Sequence, residues 1–372
     1  MKVSKLVKIT GADFFTGVPD SQLKALTDYL MNEYHTDGQH HIIAANEGNA
    51  VAAAAGYHLA TGRVPAVYLQ NSGEGNILNP AASLLHKKVF AIPCIFIIGW
   101  RGEPGIHDEP QHVFQGEITC RLLEDMGIAY FIISKQTTEE ETAEQMKKFH
   151  QLLADGNSAA FLIQKGALEY DETADYHNEY VLNREEVIRH IINISGSDPV
   201  ISSTGKMSRE LYELREKGNA AHDTDFLTVG SMGHCSSIAL GTALNRPEKT
   251  IWCIDGDGAV LMHMGAMPVT AYYCPKNLIH IVINNGAHET VGGQPTVMGN
   301  LDIWKIAREC GYPYSVCVSD DTSLDQTLHE AKERGMLSFI EVKCKLESRA
   351  DLGRPVISPC DNKLNFMRFL KG

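Results

Sequence analysis

The sequence predicts an α/β protein with two doubly wound, parallel-sheet domains, and two patterns support this fold class. Short apolar runs typical of strands alternate with helix-like stretches along the whole chain. Six runs precede a segment at residues 168–181 that is rich in Asp, Glu, Tyr and His, and six follow it. Since this segment has no apolar period, it is interpreted as a linker. The predicted strands are residues 14–17, 41–44, 65–69, 90–98, 128–132, 159–163, 199–203, 226–229, 250–254, 278–283, 312–316 and 337–342.

The length of the chain supports this division. Its 372 residues exceed one ordinary domain, and a hydrophobic content of 44% provides material for two cores. We expect a first domain at residues 1–170, a linker at 171–183 and a second domain at 184–372. Asn183, with Glu186 three residues later, matches a capping-box pattern and predicts that a helix opens the second domain.

Charge and cysteine content limit the possible partners. A formal net charge of −13 argues against nucleic acid or an anionic membrane as a partner, because both attract basic surfaces. No window approaches the roughly 20 apolar residues of a membrane span, and the N-terminal residues lack the apolar core of a secretion signal. The nine cysteines show no paired spacing typical of disulfides or metal sites. We therefore expect a cytoplasmic protein.

Two polar motifs follow neighbouring predicted strands of the second domain. Gly256-Asp257-Gly258 follows one strand, and Asn284-Asn285 follows the next. The carboxyl ends of parallel strands meet at one edge of the sheet, where α/β proteins bind ligands. Glycine allows backbone N–H groups to approach a phosphate, and carboxylate and amide oxygens suit Mg²⁺. A metal-bridged diphosphate is expected, whereas Gly-Asp-Gly alone would favour an ordinary tight turn.

This pair of motifs resembles the cofactor motif of thiamine diphosphate-dependent decarboxylases, ligases and transketolase-type enzymes. The resemblance implies that Asp257, the side chain of Asn285 and the main-chain oxygen of Ala287 hold Mg²⁺. It also implies that residues 1–170 form a pyrimidine-binding domain and residues 184–372 a diphosphate-binding domain of the thiamine diphosphate-binding fold. Many members have a central third domain, for which this chain has no room. The residues expected to bind the cofactor are Glu47, Ser203, Thr204, Gly205, Ser231, Met232, Gly256, Asp257, Gly258, Ala259, Asn285 and Ala287.

Glu47 is the candidate for activating the cofactor. It ends a predicted strand and opens an Ala-rich helix, the kind of position held by the activating glutamate of the family. In that role it would exchange a proton with the aminopyrimidine ring. The alternative is an ordinary first-turn glutamate that complements the helix dipole. The resemblance further implies that the pyrimidine-binding domain of one subunit faces the diphosphate-binding domain of another. The expected assembly is therefore a homo-oligomer, at least a dimer.

Two further turns in the second domain are candidates for cofactor contacts. Residues 203–206 follow a strand and could offer N–H groups to the diphosphate, although Val200 and Met207 exclude a Walker loop. In the turn at residues 230–233, Met232 is expected near the cofactor rings, and the following His234 near the reaction centre. The alternatives are a gap-filling core methionine and a polar group at a helix N-terminus.

A narrower resemblance concerns the substrate. Residues 15–21, 70–80, 99–112 and 284–295 resemble phosphonopyruvate decarboxylases and the closely related sulfopyruvate decarboxylases, with coverage of essentially the whole chain. His107 departs from this pattern, because a lysine is expected there. The resemblance implies decarboxylation of 3-phosphonopyruvate to phosphonoacetaldehyde and CO₂ in phosphonate biosynthesis.

Alternatives to this activity remain open. A sulfopyruvate decarboxylase is the nearest, weakly disfavoured because those enzymes are often split into two chains. A carboligase is less favoured because the third domain is absent. A non-catalytic thiamine diphosphate-binding subunit represents a different class of function, against which the intact Glu47, Asp257 and Asn285 count.

A small anionic 2-oxo acid needs local cations or N–H donors in a chain of net negative charge. Arg101, on a Gly-rich loop, is the principal candidate, because a guanidinium binds two phosphonate oxygens at once. An ordinary solvated arginine is the alternative. Either His112 or His234 is the candidate acid for proton transfer. The expected substrate residues are Ser21, Asn71, Ser72, Arg101, Arg349 and Arg354, with Lys363 as a further basic residue.

Overall fold

The computed structural model describes every residue from Met1 to Gly372 and divides the chain into two compact units. Unit 1 is Met1–Asp175 and unit 2 is Tyr176–Gly372. Each unit contains one six-stranded sheet in which all paired strands are parallel. The predicted fold class is therefore confirmed, and there is no third domain. None of the helices combines the length and apolar character that crossing a membrane requires.

Unit 1 alternates strands and helices. Its strands are β1 (Phe15–Gly17), β2 (His41–Ile43), β3 (Ala66–Gln70), β4 (Ile95–Gly99), β5 (Ala129–Ile133) and β6 (Ala159–Ile163). Its helices are α1 (Val3–Thr10), α2 (Lys24–Tyr34), α3 (Glu47–Thr61), α4 (Glu74–Pro80), α5 (Pro110–Asp125) and α6 (Glu139–Ala154). Short 3₁₀ turns at Ser21–Leu23 and Asn71–Gly73 and a π-helical turn at Ala81–Leu85 complete it.

Unit 2 follows the same plan with one addition, a two-stranded hairpin. Its strands are β7 (Val200–Ser202), β8 (Asp225–Leu227), β9 (Ile251–Gly256), β10 (Leu278–Asn284), β11 (Ala287–His288), β12 (Gln294–Pro295), β13 (Tyr314–Val318) and β14 (Ser338–Lys343). Its helices are α7 (Arg184–Ser195), α8 (Lys206–Lys217), α9 (Cys235–Asn245), α10 (Asp257–Met262), α11 (Ala266–Tyr273), α12 (Ile303–Cys310), α13 (Asp321–Arg334) and α14 (Pro359–Lys371). A 3₁₀ turn at Val297–Asn300 follows the hairpin.

The two large sheets have the same strand order. Unit 1 is arranged β2-β1-β3-β4-β6-β5, and unit 2 is arranged β8-β7-β9-β10-β14-β13. With the hairpin β11–β12 set aside, both read 2-1-3-4-6-5 in their own chain order. After the first strand of each unit the chain continues to one side of the sheet, and after the adjacent third strand it continues to the other side. This topological switch opens a crevice at the carboxyl ends of these strands, where ligands bind in open α/β sheets.

Helices cover both faces of each sheet, which explains why the strands are continuous apolar runs. In unit 1, one core cluster joins α2 and α6 to the sheet and another joins α3 to its opposite face. In unit 2, α7, α8 and α13 pack on one face, while α9, α11 and α12 pack on the other. Every residue of β9 and β10 is buried, so the polar residues at their ends are held on rigid elements.

All twelve predicted strands form, but most of their bounds shift by one or two residues, and β4 begins at Ile95 rather than at residue 90. β13 begins at Tyr314 rather than at residue 312, because Pro313 has no N–H to donate to a sheet ladder. β8 begins one residue early, at Asp225, a buried carboxylate that accepts two hydrogen bonds of 3.0 Å from Arg215. Asn183 caps α7 as expected, but its side chain accepts from the amide of Glu185 instead of forming a capping box.

Candidate active site

Asp257 lies at the carboxyl end of β9, in the first turn of α10. The hydroxyl of Thr296 donates to its Oδ2 at 2.8 Å, and the amide of Thr296 donates to the main-chain oxygen of Gly286 at 2.8 Å. Burial raises the pKa of Asp257 to about 6, although Thr296 and the nearby amides of Gly258 and Gly286 act to lower it. Because Gly286 lies between Asn285 and Ala287, the structure brings Asp257 against the turn that supplies the other two expected cation ligands.

Asn285 is held in this turn by hydrogen bonds from both its side chain and its main chain. Its Oδ1 accepts from the amide of Ala287 at 3.0 Å, and its Nδ2 donates to Oε2 of Glu289 at 2.8 Å. Its main-chain oxygen accepts from Nδ2 of Asn178 at 2.8 Å. Ala287 then begins the hairpin, pairing with Pro295. The amide oxygen of Asn285 and the carboxylate of Glu289 are therefore held by hydrogen bonds within one turn.

Gly258 marks a space beside this turn. A Cβ at residue 258 would lie 3.2 Å from Nδ1 of His288 and 3.5 Å from Cε of Met232. His288 is buried, and burial lowers its pKa to about 4, so its imidazole is neutral near pH 7. Met232 was expected beside the cofactor, whereas no role was predicted for His288. Its position three residues after Asn285 was the available signal.

The loops after β7 and β8 meet at the topological switch. The hydroxyl of Thr204 accepts from the amide of Gly230 at 3.0 Å, which ties the two loops together. The amide of Ser203 donates to the main-chain oxygen of Ile254 at 2.8 Å and so belongs to the sheet edge. Gly205 has a φ of +91°, which a residue with a side chain rarely adopts. The amide of Ser203 therefore already donates to the sheet, whereas the sequence suggested that it was available to a diphosphate.

His234 precedes α9 and is exposed, with its Nδ1 3.3 Å from the main-chain oxygen of Ser231. Ser231 has a positive φ of 47°. The rings of His234 and His263 lie 4.3 Å apart. Nε2 of His263 is buried and has no hydrogen-bond partner. The predicted proton donor of unit 2 is therefore one member of a histidine pair.

Glu47 begins α3, whose N-cap is Asn46. Only 5% of Glu47 is exposed, and Nδ2 of Asn76 donates to its Oε2 at 2.6 Å. A Cβ at residue 73 would lie 2.5 Å from its Oε1, so Gly73 is required for this side chain to fit. Burial raises the pKa of Glu47, and the hydrogen bond from Asn76 opposes that change only in part. The carboxyl is therefore suited to taking up a proton.

Three of the expected substrate residues lie together at the switch of unit 1. Nη1 of Arg101 donates to the hydroxyl of Ser21 at 3.0 Å, and its amide donates to Oδ1 of Asn71 at 3.0 Å. Ser72 donates to the side chain of Gln70 at 2.6 Å. These residues follow β1, β3 and β4, whose carboxyl ends are adjacent.

Arg101 is also paired with an acid. Its guanidinium donates through Nε to Asp108 at 2.7 Å and through a second nitrogen to the other carboxylate oxygen. His112, on α5, is in the same region, because the charge of Arg101 contributes to lowering its pKa. Burial is the larger cause, and the pKa of His112 falls to about 4. Its buried Nδ1 has no hydrogen-bond partner.

The C-terminal basic residues occupy a different setting in unit 2. Arg349 donates to Glu185 at 2.8 Å, to Asp351 at 2.9 Å and to Glu213. Its three nitrogens are thus engaged by carboxylates of its own unit. Arg354 and Lys363 are exposed.

A buried polar cluster is formed by side chains of α9, β9 and β10. The ligand atoms of Cys235, Cys253 and Asp255 lie within 4.8 Å of one another, and Nε2 of His280 lies 3.6 Å from Oδ2 of Asp255. Burial raises the pKa of both thiols, so they are protonated and pack as small apolar groups. Sequence spacing did not connect these residues, because they come from α9, β9 and β10.

Two family descriptions match the chain. "Thiamine pyrophosphate enzyme, N-terminal TPP binding domain" matches residues 3–128, and "Thiamine pyrophosphate enzyme, C-terminal TPP binding domain" matches residues 203–342. These ranges fall in unit 1 and unit 2, respectively. The first includes Glu47 and the second includes Asp257 and Asn285.

Three curated relatives match nearly the whole chain. A phosphonopyruvate decarboxylase of Streptomyces viridochromogenes is 33% identical over 97% of this chain and 92% of its own length. A phosphonopyruvate decarboxylase of Streptomyces hygroscopicus is 32% identical over 98% and 92%. A sulfopyruvate decarboxylase of Methanosarcina acetivorans is 28% identical over 92% and 90%. The sulfopyruvate decarboxylase of Methanosarcina acetivorans is thus also a single long chain. Contrary to our expectation, a single chain therefore does not favour phosphonopyruvate over sulfopyruvate as the substrate.

Proposed function

The chain belongs to the thiamine pyrophosphate enzymes, and from this premise we propose that it decarboxylates 3-phosphonopyruvate to phosphonoacetaldehyde and CO₂. The observation that carries this proposal is the bridge made by Thr296, whose hydroxyl donates to the buried Asp257 carboxyl and whose amide donates to the main-chain oxygen of Gly286. It joins the two halves of the motif that binds a metal-bridged diphosphate. Such a reaction would serve phosphonate biosynthesis, where loss of CO₂ draws an unfavourable preceding step forward.

The cofactor is thiamine diphosphate with a divalent cation, and the residues of unit 2 fit this group. Asp257 is a buried carboxyl with a raised pKa and only neutral hydrogen-bond partners, a setting that a cation stabilises. The space over Gly258 would be filled by any side chain. We propose that Mg²⁺ is held by Asp257, Asn285 and the main-chain oxygen of Ala287. The remaining proposed cofactor contacts are Glu47, Ser203, Thr204, Gly205, Ser231, Met232, Gly256, Gly258 and Ala259.

When bound, the cofactor supplies a nucleophilic carbon and accepts the electron pair left by the departing CO₂. Glu47 takes up and returns a proton at its carboxyl, a role supported by its burial and its single side-chain donor, Asn76. The former keto carbon gains one proton for each CO₂ lost. His112 and His234 remain the proposed groups for this transfer. Since its pKa of about 4 leaves His112 unprotonated near pH 7, His112 is the weaker candidate for the proton donor.

Recognition of the anionic substrate is proposed for Arg101, Ser21, Asn71 and Ser72. The first three are joined by hydrogen bonds at the switch of unit 1, and Arg101 provides a positive charge in a chain of net charge −13. Arg349 and Arg354 are also proposed to bind the substrate, but only the sequence supports this role. The carboxylates around Arg349 make it the weaker candidate.

The assembly and the compartment are part of the same proposal. We propose a homo-oligomer whose active site contains residues from two subunits, because Glu47 and Asp257 belong to different units of one chain. All nine cysteines are free thiols, which supports a reducing compartment such as the cytoplasm.

Release of CO₂ from three 2-oxo acids tests this function. Phosphonopyruvate, sulfopyruvate and pyruvate are each supplied with and without Mg²⁺ and thiamine diphosphate. Turnover is expected with phosphonopyruvate when both cofactors are present. Preferential turnover of sulfopyruvate would establish the alternative that the 28%-identical relative supports. Cofactor binding without turnover of any acid would instead support a non-catalytic subunit.

A further inference from the structure

Glu289 connects an expected cation ligand to two cationic partners, the buried Arg184 and the partly exposed Lys206. Its Oε2 accepts from Nδ2 of Asn285 at 2.8 Å and also from Nη1 of Arg184. Its Oε1 accepts from Nζ of Lys206 at 3.0 Å. The Glu289 side chain is only 10% exposed. It lies four residues after Asn285 and closes the turn that contains the expected ligands.

Arg184 fixes Glu289 from the opposite side. Its side chain is 7% exposed, and it donates two hydrogen bonds of 2.7 Å to Glu210, whose side chain is 3% exposed. Arg184 begins α7, and Glu210 lies on α8. Together with Lys206, these residues place two positive charges against two negative charges. The carboxylate of Glu289 is therefore neutralised by its neighbours and held between two helices.

The hydrogen bond to Glu289 fixes the orientation of the Asn285 side-chain amide, with its NH₂ group toward Glu289. An ionised carboxylate only accepts hydrogen bonds, so it must face the NH₂ group of the amide. The amide oxygen then points away from Glu289 and accepts from the amide of Ala287. A flipped amide would place an oxygen against a carboxylate oxygen and an NH₂ group against an N–H donor.

We propose that Glu289 is a positioning residue that orients the Asn285 amide so that its oxygen is presented to the divalent cation. This inference rests on the proposed function and identifies how its cation site is preorganised. Groups that orient metal ligands in this way change metal affinity by about 10–100-fold when they are removed. The network of Arg184, Glu210 and Lys206 would then hold the orienting carboxylate in place.

Calorimetric binding of thiamine diphosphate at a series of Mg²⁺ concentrations, without substrate, tests the proposal. Glu289→Ala removes the acceptor and should raise the Mg²⁺ concentration for half-maximal cofactor binding by about 10–100-fold. Glu289→Gln should restore much of this loss. Its amide oxygen can accept from Asn285 and Arg184, while its NH₂ group faces Lys206, which already donates to the hydroxyl of Ser348 at 2.6 Å and keeps that partner.

Glu330→Gln is the control. It removes a carboxylate from the ion pair with Arg334 on α13 and touches neither Asn285 nor the partners of Glu289, so its Mg²⁺ requirement should stay close to wild type. If the role were only structural, Glu289→Gln would weaken binding as much as Glu289→Ala. That outcome, or unchanged Mg²⁺ dependence in Glu289→Ala, would overturn the inference.

Two further measurements keep the outcomes separate. Circular dichroism and thermal unfolding establish that each variant is folded. If Glu289→Ala does not fold, Glu289→Asp keeps the charge beside Arg184 but withdraws the oxygen from Asn285, and the same loss of Mg²⁺ affinity is expected. A wild-type protein that binds no thiamine diphosphate at any Mg²⁺ concentration would refute the proposed function itself.

Discussion

The two units share one strand order, yet their principal carboxyl groups have different surroundings. Glu47 follows the second strand of unit 1, and its only side-chain donor is Asn76. Asp257 follows the third strand of unit 2 and accepts a hydrogen bond from Thr296, and the nearby amides of Gly258 and Gly286 also act to lower its pKa. Burial raises both pKa values. The comparison teaches that two buried carboxyls with raised pKa values can differ in the number of neighbouring donors that act on them.

A carboxyl with few donors can exchange a proton, because neither protonation state is strongly held by its surroundings. A carboxyl fixed by several donors keeps its oxygens in place and suits a cation ligand. Sequence position alone does not separate these roles, since both residues lie in the first turn of a helix. The contrast leads to four predictions.

The largest effect is expected at Glu47, the carboxyl proposed to exchange a proton. Glu47→Gln should lower the rate of CO₂ release by about 1000-fold, because an amide cannot take up the proton. Cofactor binding should change little, since unit 2 supplies the proposed diphosphate and cation contacts. Steady-state kinetics and calorimetry measure the two quantities, with the exposed Glu144→Gln as a control. Unchanged turnover would refute the role of Glu47.

The complementary change in unit 2 should act on binding. Asp257→Ala should weaken Mg²⁺-dependent binding of thiamine diphosphate on the order of 100-fold, since a buried ligand oxygen is lost. Asp223→Ala, at an exposed acid of the same unit, is the control. If the Asp257 variant bound the cofactor normally and lost only turnover, the contrast between the two carboxyls would fail.

A smaller effect is expected at the substrate residues of unit 1. Arg101→Met should raise KM for phosphonopyruvate by about 30-fold, which corresponds to about 2 kcal/mol for a charged hydrogen bond. Cofactor affinity should be unaffected. Arg121→Met changes an arginine whose side chain is 83% exposed and serves as the control. An unchanged KM would mean that other residues recognise the phosphonate. Thermal unfolding measures any loss of stability that results from leaving Asp108 without its arginine partner.

The smallest effect concerns pH. The pKa of Asp257 is about 6, above the ordinary carboxyl value, so protons compete with the cation at acidic pH. Cofactor affinity should fall by about tenfold for each pH unit below 6. In the cofactor-free protein the sign is opposite. Protonated Asp257 favours the folded state, and this contribution is lost as pH rises through about 6.

Calorimetry between pH 5 and 8 measures the affinity, and urea unfolding of the cofactor-free protein measures the stability. Asp257→Asn should abolish the stability contribution of this group. Glu47→Gln should retain the pH dependence of cofactor affinity. The prediction fails if affinity in the wild-type protein does not change below pH 6.

Much of the fold could be predicted from the sequence because parallel strands buried on both faces are continuous apolar runs. The same logic predicted that Asp257 and Asn285 share a sheet edge, and Thr296 connects their turns by donating to both Asp257 and the Gly286 main-chain oxygen. The assigned roles of these residues stay predictions. Local chemistry explains the late start of β13, because Pro313 limits its ladder.

The side-chain network around these motifs could not be predicted. Arg184 and Glu289 are 105 residues apart, and their ion pair depends on how α7 packs beside the turn after β10. Asp108 lies near Arg101 in sequence, but only the folded loop shows that it engages the guanidinium. Periodicity reports which face of an element is buried, whereas it contains no information on pairs between distant elements.

The shared strand order has a consequence for how this chain could be built. Each parallel sheet is completed by strands of its own half, and residues 168–181, where the halves join, contain no helix or extended strand. Two shorter genes, divided at that point, would each encode a full set of six strands and both helical layers. Coexpression of such halves is therefore a practical way to replace or recombine one half without redesigning the other.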